Sequence, residues 1–227
     1  MDISLHYTEQ GQGAPLLLLH GNGEDSSYFA HQMEPLSQVR HVYAIDTRGH
    51  GQSPRGSAPF TISQFAEDLL GFMDQQGMER ADLLGFSDGG NIALTFALRH
   101  RERVGRLILN GANLSPKGVK PSVQIPIEIG YRMASLFPGE KARHNAALLG
   151  LMVKEPHIDP KELQTLTMPV LVIVGSRDMI RPGHSRRIAV SLPNARFVEL
   201  PGGHFIANRE PEAFNRAVLS FLQENPA

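Results

Sequence analysis

The sequence predicts an α/β fold: a three-layer α/β/α sandwich with a mainly parallel sheet and an inserted helical cap. Strand-like apolar runs alternate with helix-like segments along most of the chain, which is typical of this architecture. The run Leu16–Leu19 is apolar without interruption, as in a strand buried on both faces of a parallel sheet. The alternation stops after Asn110 and resumes at Val170, so we place the insertion between these two residues.

The composition favours one domain and excludes several kinds of site. A chain of 227 residues is long enough to bury a full core and to carry a modest insertion. The formal net charge is -1, and there is no basic stripe or acidic tail, so we expect no nucleic-acid partner. Because the chain contains no cysteine, disulfides, cysteine-ligated metals and a thiol nucleophile are excluded.

The N-terminal residues and the longest apolar runs bear on the cellular location of the protein. Residues 1–7 lack a basic region followed by an apolar run, so we expect no signal peptide. The longest apolar runs, Pro15–Leu19 and Pro169–Val174, are too short to span a membrane. We therefore expect a cytoplasmic protein with no membrane partner. The sequence leaves the oligomeric state open.

The first half of the chain predicts four strands and three helices. Alternation of apolar and polar residues over Ile3–Tyr7 indicates a half-exposed edge strand. Asp25, Ser26 or Ser27 is expected to cap the first helix, and Thr61 or Ser63 the second. The other predicted elements are strands at Leu16–Leu19, His41–Ile45 and Leu83–Gly85, and helices that end near Gln38, end at Gly77, and span Gly89–Arg101.

The second half predicts the cap and the rest of the core. Between Leu114 and Leu166 there are six prolines, and only short helix-like pieces lie between them. We assign 114–166 to a helical cap, and 1–113 with 167–227 to the core. The predicted elements are helices at Ile127–Phe137, Lys141–Val153, Pro160–Leu166, Gly183–Leu192 and Pro211–Gln223, and strands at Arg106–Asn110, Val170–Val174 and Ala195–Leu200.

Polar motifs follow the predicted strands at the points where those strands end. In open parallel sheets, ligands bind beyond the carboxyl ends of the strands. If the strands are parallel neighbours, the motifs lie on one surface. They are His20–Gly23, Asp46–Ser53, Ser87, Asp178 and His204.

The stretch from Leu83 to Ala93 passes from an apolar strand directly into a helix. The corner has the pattern Gly85-x-Ser87-x-Gly89, in which small flanking residues leave room for a sharp turn. At such a corner the hydroxyl of Ser87 stands clear of the backbone, and the following helix N-terminus favours developing negative charge. The alternative is a glycine-rich turn with an incidental serine.

A serine nucleophile needs a base, and the base needs a partner that fixes its tautomer. His204 follows the last predicted strand and is the candidate base, while Asp178 follows the preceding strand and is the candidate acid. Taken singly, His204 could be an ordinary loop histidine and Asp178 a turn residue. Their order with Ser87, and their places at strand ends, favour a Ser-His-Asp triad. The segment after the Arg106–Asn110 strand offers no competing acid.

These motifs together resemble the α/β-hydrolase superfamily over nearly the whole chain, in particular serine esterases with a short helical cap. The resemblance implies an oxyanion hole built from the backbone N–H of Asp88 and that of Asn22, or less favourably Gly23. It also implies a structural role for His20 and for the turn residues Asp46, Arg48 and Ser53. The matching motifs are His20-Gly21-Asn22-Gly23, Asp46-x-Arg48-Gly49-x-Gly51-x-Ser53, Gly85-x-Ser87-x-Gly89, Gly175-x-x-Asp178 and Gly203-His204.

The residue after the nucleophile is an aspartate. Asp88 either caps the helix electrostatically or places a negative charge that disfavours acidic substrates and holds an amine. The run from Ser87 to Gly90 resembles that of valacyclovir-hydrolase-like esterases, which act on amino-acid esters. Other candidate substrate-binding residues are Ile127, Tyr131, Met133, Leu136 and Phe137 in the cap, and Phe205 beside the histidine.

The expected function is that of a serine hydrolase, a carboxylesterase that cleaves small carboxylic esters by two-step acyl transfer. The expected partner is a small ester-type molecule, and no metal or organic cofactor is needed. Two alternatives remain open at this point. One is different chemistry with the same triad, such as thioester hydrolysis, carbon–carbon bond hydrolysis or cofactor-free perhydrolysis. The other is a ligand-binding, receptor-like protein in which hydrolysis is minor.

Overall fold

The computed structural model describes residues 2–224. Residue 1 and residues 225–227, which the predicted core included, lie outside the described residues. The described chain forms one sheet of seven strands with helices on both faces. The strands are β1 (Tyr7–Gln10), β2 (Pro15–Leu19), β3 (His41–Ile45), β4 (Ala81–Phe86), β5 (Val104–Asn110), β6 (Val170–Gly175) and β7 (Ala195–Leu200).

Eight α-helices accompany these strands within the described residues. Four short 3₁₀ turns lie between them, at Ser26–Phe29, Arg101–Arg103, Pro116–Gly118 and Glu162–Thr165. The helices are α1 (Ala30–Ser37), α2 (Ile62–Gln75), α3 (Asp88–Arg99), α4 (Pro121–Leu136), α5 (Glu140–Lys154), α6 (Pro182–Ser191), α7 (Ile206–Arg209) and α8 (Pro211–Glu224). None of the helices in residues 2–224 combines the length and the apolar character that a membrane crossing requires.

The strand order is β1-β3-β2-β4-β5-β6-β7, with β1 antiparallel and the rest parallel. The chain runs from β2 outward to β3 and then returns to place β4 on the other side of β2. The direction of winding therefore changes between β2 and β4. In open α/β sheets such a switch point opens a crevice at the carboxyl ends of the strands. Asn22 follows β2 and Ser87 follows β4, so both lie at this crevice.

Alternating side chains of each parallel strand enter two separate cores, one on each face of the sheet. In β2, Leu17 and Leu19 join the core beneath α2 and α3, whereas Leu16 and Leu18 join the core beneath α1 and α8. All four leucines are at most 1% exposed, which explains why the strand has no polar position. The predicted three-layer α/β/α sandwich is therefore confirmed.

Most predicted elements are present with shifts of one or two residues at their ends. Asp25 accepts a hydrogen bond from Ser27 N at 2.9 Å and caps the turn that leads into α1. Thr61 caps α2 by accepting from Gln64 N at 3.1 Å. Gly77, just past the end of α2, has a φ of 65°, in the left-handed region that glycine tolerates best. Of the alternatives offered by the sequence, Asp25 and Thr61 are the capping residues.

The predicted edge strand at Ile3–Tyr7 was placed too early, since β1 begins where that prediction ended. Tyr7 pairs with Ile45, the last residue of β3, so the residues before Tyr7 have no strand beside them. They hydrogen-bond instead to the following turn, where His6 N donates to Ser53 Oγ at 2.8 Å. Ile3 and Leu5 are still buried, which accounts for the alternating pattern.

The insertion between β5 and β6 consists mainly of α4 and α5, which pack against each other. The sequence predicted the first of these helices to begin at Ile127, but it begins six residues earlier, at Pro121. Proline fits the first turn of a helix, where its missing N–H has no partner to lose. Pro126 lies inside the helix and leaves the Ser122 carbonyl without an N–H, but Ser122 is exposed and water can satisfy that group.

Candidate active site

Ser87 occupies a strained corner between β4 and α3. Its φ is 52° and its ψ is -118°, and it is the only non-glycine residue with positive φ among residues 2–224. Backbone in such a region costs on the order of 1–3 kcal/mol, and it persists only where the surrounding structure enforces it. The geometry is that of the sharp strand-to-helix turn predicted from the sequence.

The two glycines of the motif are required by close backbone contacts at this corner. A Cβ at Gly85 would lie 2.2 Å from the Gly89 carbonyl oxygen. A Cβ at Gly89 would lie 2.0 Å from the carbonyl oxygen of Leu19, at the end of β2. Both distances are far inside van der Waals contact, so only glycine permits the start of α3 to approach β2 and β4 this closely.

The fold brings the three residues of the predicted triad into one hydrogen-bonded line. Ser87 Oγ lies 3.0 Å from His204 Nε2, and His204 Nδ1 lies 2.7 Å from Asp178 Oδ1. His204 and Asp178 are buried, whereas Ser87 is partly accessible. A neutral histidine with its proton on Nδ1 donates to Asp178 and can accept from the serine hydroxyl. The arrangement has the geometry of an activated nucleophile.

Backbone groups hold the two partners of Ser87 in place. Asp178 Oδ1 also accepts a hydrogen bond from Ile180 N at 2.8 Å, which fixes the carboxylate at the start of the loop before α6. Gly111 follows β5 with a φ of 64°, and a Cβ there would lie 2.7 Å from His204 Cε1. The segment after β5 therefore supplies no acid, as the sequence indicated, but it supplies the space for the imidazole.

The two predicted oxyanion donors lie on either side of the crevice between β2 and β4. Asp88 is the first residue of α3, so its N–H has no acceptor within the helix. Asn22 lies in the loop after β2, and its side-chain Nδ2 donates to Asp88 Oδ2 at 2.8 Å. This bond brings Asn22 next to the residue that follows the nucleophile. The role of the two N–H groups as oxyanion donors stays a prediction.

His20 orders the loop that carries Asn22. The ring Nδ1 lies 2.8 Å from the Gly21 carbonyl oxygen, and the ring Nε2 accepts from Thr47 N at 3.0 Å. Both ring nitrogens are thus occupied by backbone groups, and burial lowers the pKa of the imidazole. A neutral ring with both nitrogens hydrogen-bonded suits the structural role predicted for His20.

The charged side chains of the turn after β3 also have hydrogen-bond partners, most of them outside the turn. Asp46 accepts from His6 Nδ1, from Ser26 N and from Gln52 N. The fully buried Arg48 guanidinium donates to both carboxylate oxygens of Asp68, each at 2.6 Å. Such bidentate pairing compensates a buried charge. These contacts agree with the structural role predicted for Asp46 and Arg48, as does the 2.7 Å bond from Ser53 Oγ to the Asp46 carbonyl.

The carboxyl group of Asp88 is buried beside Ser87. Burial raises its pKa, while hydrogen bonds donated by the side chains of Asn22 and Asn91 oppose that shift. Both carboxylate oxygens have amide partners, Oδ2 with Asn22 at 2.8 Å and Oδ1 with Asn91 at 3.1 Å. The side chain therefore does more than cap α3 electrostatically, since it links the helix to the loop after β2.

A narrow pocket with about 10 Å³ of internal space lies beside Ser87. It contains two carboxyl groups, Asp88 and Glu155, and no basic side chain. Burial and the nearby Asp88 raise the pKa of Glu155. The lining residues are Ser87, Asp88, Asn113, Val119, Met152, Glu155 and Met179.

The predicted substrate-binding residues of the cap do not line this pocket. Met133, on α4, is 50% exposed, and Phe137, directly after α4, is 59% exposed. The Tyr131 ring faces α5, where Lys154 Nζ lies 4.9 Å from its centroid. Phe205 is half exposed, with its ring 5.6 Å from that of His204. Any part that these four residues play in substrate binding stays a prediction.

Sequence reasoning missed Glu155 and Asn113 as pocket residues. Asn113 lies three residues after β5, so the rule that ligands bind at strand ends could have identified it. Glu155 follows α5, where no periodicity or motif marks it. Its position beside Ser87 depends on how α5 lies across the sheet. In the described part of the chain, no group of three or more histidine, aspartate or glutamate side chains could hold a metal ion.

Glu24 is a further carboxyl group near the site. Its Oε2 accepts from Gly21 N at 3.1 Å, and it lies close enough to His204 for their charges to interact. Burial raises the pKa of Glu24 from 4.5 to about 7. The folded state therefore holds this proton over a pH range in which the unfolded state has released it.

We expect the stability contribution of protonated Glu24 to be fully present below about pH 4.5 and to be lost as the pH rises through 7. Glu24→Gln keeps an oxygen acceptor for Gly21 N but cannot ionise. The Tm of the variant relative to that of wild type should rise by several degrees between pH 4.5 and pH 8, since a stability change of 1 kcal/mol shifts Tm by roughly 2–4 °C. The exposed Glu212→Gln is the matched control, and an equal pH trend in both variants would contradict this assignment.

Comparison with known proteins gives a consistent result. A family model described as the alpha/beta hydrolase fold matches residues 14–157. The chain is 32% identical to a protein of Caulobacter sp. (strain K31) named "Putative carbamate hydrolase RutD", over 93% of this chain and 91% of that protein. It is 30% identical to the 2-hydroxymuconate semialdehyde hydrolase of Pseudomonas putida, over 96% and 90% of the two chains.

Among solved structures, the enol-lactonase from Burkholderia xenovorans LB400 is similar throughout. It superposes with a TM-score of 0.83 at 27% identity, and the match covers 97% of both chains. The similarity thus includes the strands, the flanking helices and the insertion between β5 and β6.

Proposed function

The chain belongs to the alpha/beta hydrolase family and is a hydrolase, and we propose that it is a serine hydrolase that cleaves small carboxylic esters. The observation that carries this proposal is the line from Ser87 Oγ to His204 Nε2 at 3.0 Å and from His204 Nδ1 to Asp178 Oδ1 at 2.7 Å. Among the residues that line the pocket, only Ser87 has a nucleophilic side chain that is hydrogen-bonded to a base.

In the proposed reaction, Ser87 Oγ attacks the substrate carbonyl carbon while its proton passes to His204 Nε2. Asp178 stabilises the resulting imidazolium. The carbonyl electrons move to oxygen, and the N–H groups of Asn22 and Asp88 stabilise that oxyanion. His204 then protonates the departing alcohol. Water, activated by His204, hydrolyses the acyl-enzyme and restores Ser87.

Ester chemistry has additional support from the similar structures. The Burkholderia protein is named an enol-lactonase, and a lactone is a cyclic ester. Two relatives are named for other substrates, a carbamate and 2-hydroxymuconate semialdehyde. Carbamate hydrolysis, and the carbon–carbon bond hydrolysis that the sequence left open, are the competing activities to include when substrates are compared.

The proposal is tested with a fluorophosphonate probe, which forms a covalent bond with an activated serine. We expect one added label, located on the Ser87 peptide by mass spectrometry. A panel of short acyl esters, a carbamate, a thioester and a vinylogous 1,5-diketone then ranks the activities by kcat/KM. Absence of labelling at Ser87 would refute the serine mechanism. Labelling without turnover of any panel member would indicate a ligand-binding protein instead.

We expect the pocket to prefer amine-bearing or neutral esters over carboxylate-bearing ones. Asp88 and Glu155 place two carboxyl groups beside the reacting carbon, and no lining residue is basic. Charges brought together in a poorly solvated site interact strongly. We expect Glu155→Gln to reduce the kcat/KM preference for an amine-bearing ester over its carboxylate analogue by roughly 3- to 10-fold.

Glu155→Gln suits this measurement because the amide oxygen can still accept from Ile62 N, as Glu155 Oε2 does at 2.8 Å. Glu162→Gln, an exposed change in the same insertion, is the control. The idea of a charge filter fails if wild type shows no preference, or if Glu155→Gln and Asp88→Asn both leave the preference unchanged.

A further inference from the structure

A chain of hydrogen-bonded polar side chains, three of them buried and one half-buried, begins at the residue after Ser87 and runs away from it in both directions. We propose that this chain, here called the polar network, positions both oxyanion donors and ties them to the cap at two points, its start and helix α5. The inference rests on the proposed function, because it concerns the oxyanion hole of that reaction. The members of the polar network are Asn22, Asp88, Asn91 and Asn113.

The first end of the polar network lies at the cap helix α5. Asn22 Nδ2 donates to the Leu148 carbonyl oxygen of α5 at 2.9 Å and to Asp88 Oδ2 at 2.8 Å. An amide nitrogen has two hydrogens, so these two bonds use both of them. The side chain of Asn22 therefore has one orientation, held from the cap on one side and from α3 on the other.

The middle of the polar network is Asn91, which is completely buried in α3. Its Nδ2 donates to Asp88 Oδ1 and to Asn113 Oδ1, each at 3.1 Å. Its Oδ1 accepts from Asn113 N at 2.9 Å. Every hydrogen-bonding group of the Asn91 side chain thus has a partner, and none of these partners is solvent.

The second end of the polar network reaches the start of the cap. Asn113 lies in the connection from β5 to the cap, and its Nδ2 donates to the Ser115 carbonyl oxygen at 2.9 Å. The network therefore links α5, the loop after β2, the start of α3 and the entrance to the cap. Movement of α5 or of the start of the cap would be transmitted to Asn22 and Asp88.

This connection matters because oxyanion donors act only when they lie within hydrogen-bond distance of the developing charge. A displacement of about 1 Å at a catalytic group can cost a large part of the rate. The backbone of Asn22 and that of Asp88 supply the two donors, and one side-chain bond joins these same residues. The polar network thus fixes the spacing of the donors, and its asparagines act as positioning residues.

The test uses Asn22→Ala, which removes the side chain but keeps the backbone N–H. We expect kcat for a good ester substrate to fall about 10-fold, less than the 10²–10³ lost when a donor itself is removed. The KM should change less than twofold. Inhibition by an alkyl trifluoromethyl ketone should weaken by the same factor as kcat/KM. That ketone bonds to Ser87 Oγ, its carbonyl oxygen becomes an oxyanion, and the serine proton passes to His204.

Asn91→Ala is the second variant, since Asn91 does not line the pocket. It should produce the same loss of kcat and of ketone affinity. When the two changes are combined, the loss should be smaller than the product of the single losses, because both break one network. Asn215→Ala is the matched control. Asn215 is also buried and lies on α8. Its Oδ1 accepts from Gln32 Nε2 at 3.1 Å, and its Nδ2 donates to the His31 carbonyl oxygen at 2.8 Å.

Unchanged kcat and ketone affinity in the folded Asn22→Ala and Asn91→Ala proteins would overturn the inference. An equal loss in Asn215→Ala would overturn it too, because the effect would then be general loosening. Failure of the proposed function gives a different result: wild type itself would neither react with the fluorophosphonate at Ser87 nor bind the ketone. The two failures are therefore distinguished by the wild-type measurements.

Discussion

Replacement of Ser87 by alanine is expected to lower kcat for the best ester substrate by about 10⁴- to 10⁶-fold, with little change in substrate binding. The hydroxyl is the only group in the pocket that lies within hydrogen-bond distance of His204 Nε2. Without it, His204 has no nucleophile to activate, and any remaining rate comes from water and the oxyanion donors. Steady-state kinetics and loss of fluorophosphonate labelling measure this effect.

The control for Ser87→Ala is Ser135→Ala, an exposed serine of α4 that bonds to the Tyr131 carbonyl of its own helix. It should retain wild-type turnover and labelling. The Ser87→Ala protein should also remain folded, because serine has the same Cβ and the fold already holds it at positive φ. Retention of more than about a hundredth of the activity in folded Ser87→Ala would contradict the assignment of the nucleophile.

Asp178→Asn should lower kcat by about 10⁴-fold without disturbing the fold. In wild type one atom, Asp178 Oδ1, accepts from Ile180 N and also bonds to His204 Nδ1, so the asparagine amide oxygen can keep both bonds. The neutral amide no longer stabilises the imidazolium that forms when His204 takes the proton of Ser87. The same kinetic assay measures the loss, and a thermal melt confirms that the protein is folded.

Asp46→Asn provides a matched control for this change. Asp46 is also a buried aspartate at the end of a strand, where it bonds to the His6 ring and to two backbone N–H groups. It should lower stability and leave kcat nearly unaltered. An unchanged rate in Asp178→Asn would mean that another group orients His204. In that case Glu24, which interacts with the His204 charge, becomes the first residue to examine.

The sequence was most informative where local chemistry and tertiary packing impose the same requirement. The β2 leucines had to be apolar because both faces of that strand are covered. Gly85 and Gly89 mark a corner that only glycine permits, and Ser87 lies between them. Prediction was poorer where the neighbouring strand decides the bounds of an element. The edge strand β1 begins at Tyr7 because its partner β3 ends at Ile45, and the residues of β1 do not themselves specify that limit.

In the cap, the prolines misled the sequence interpretation. Pro126 looked like a helix boundary, yet it lies within α4, because the exposed position of Ser122 makes the lost hydrogen bond tolerable. Exposure of this kind is a property of the folded molecule. For the same reason, the sequence assigned Met133 and Phe137 to the substrate pocket, whereas α4 leaves both largely exposed and α5 supplies Met152 and Glu155.

The sequence by itself determined the fold class, the order of its main elements and the three residues that the fold brings into line. Strand periodicity and strand-end motifs encode these features locally, and parallel strands carry their ends to one edge. Only the tertiary structure decided how the site is held and lined. Glu155 lines the pocket beside Ser87, and Asn22 is bonded to α5 and, through Asp88, Asn91 and Asn113, to the start of the cap. The bonds from Asn22 to Asp88 and to Leu148 join residues 66 and 126 positions apart, and no local pattern records them.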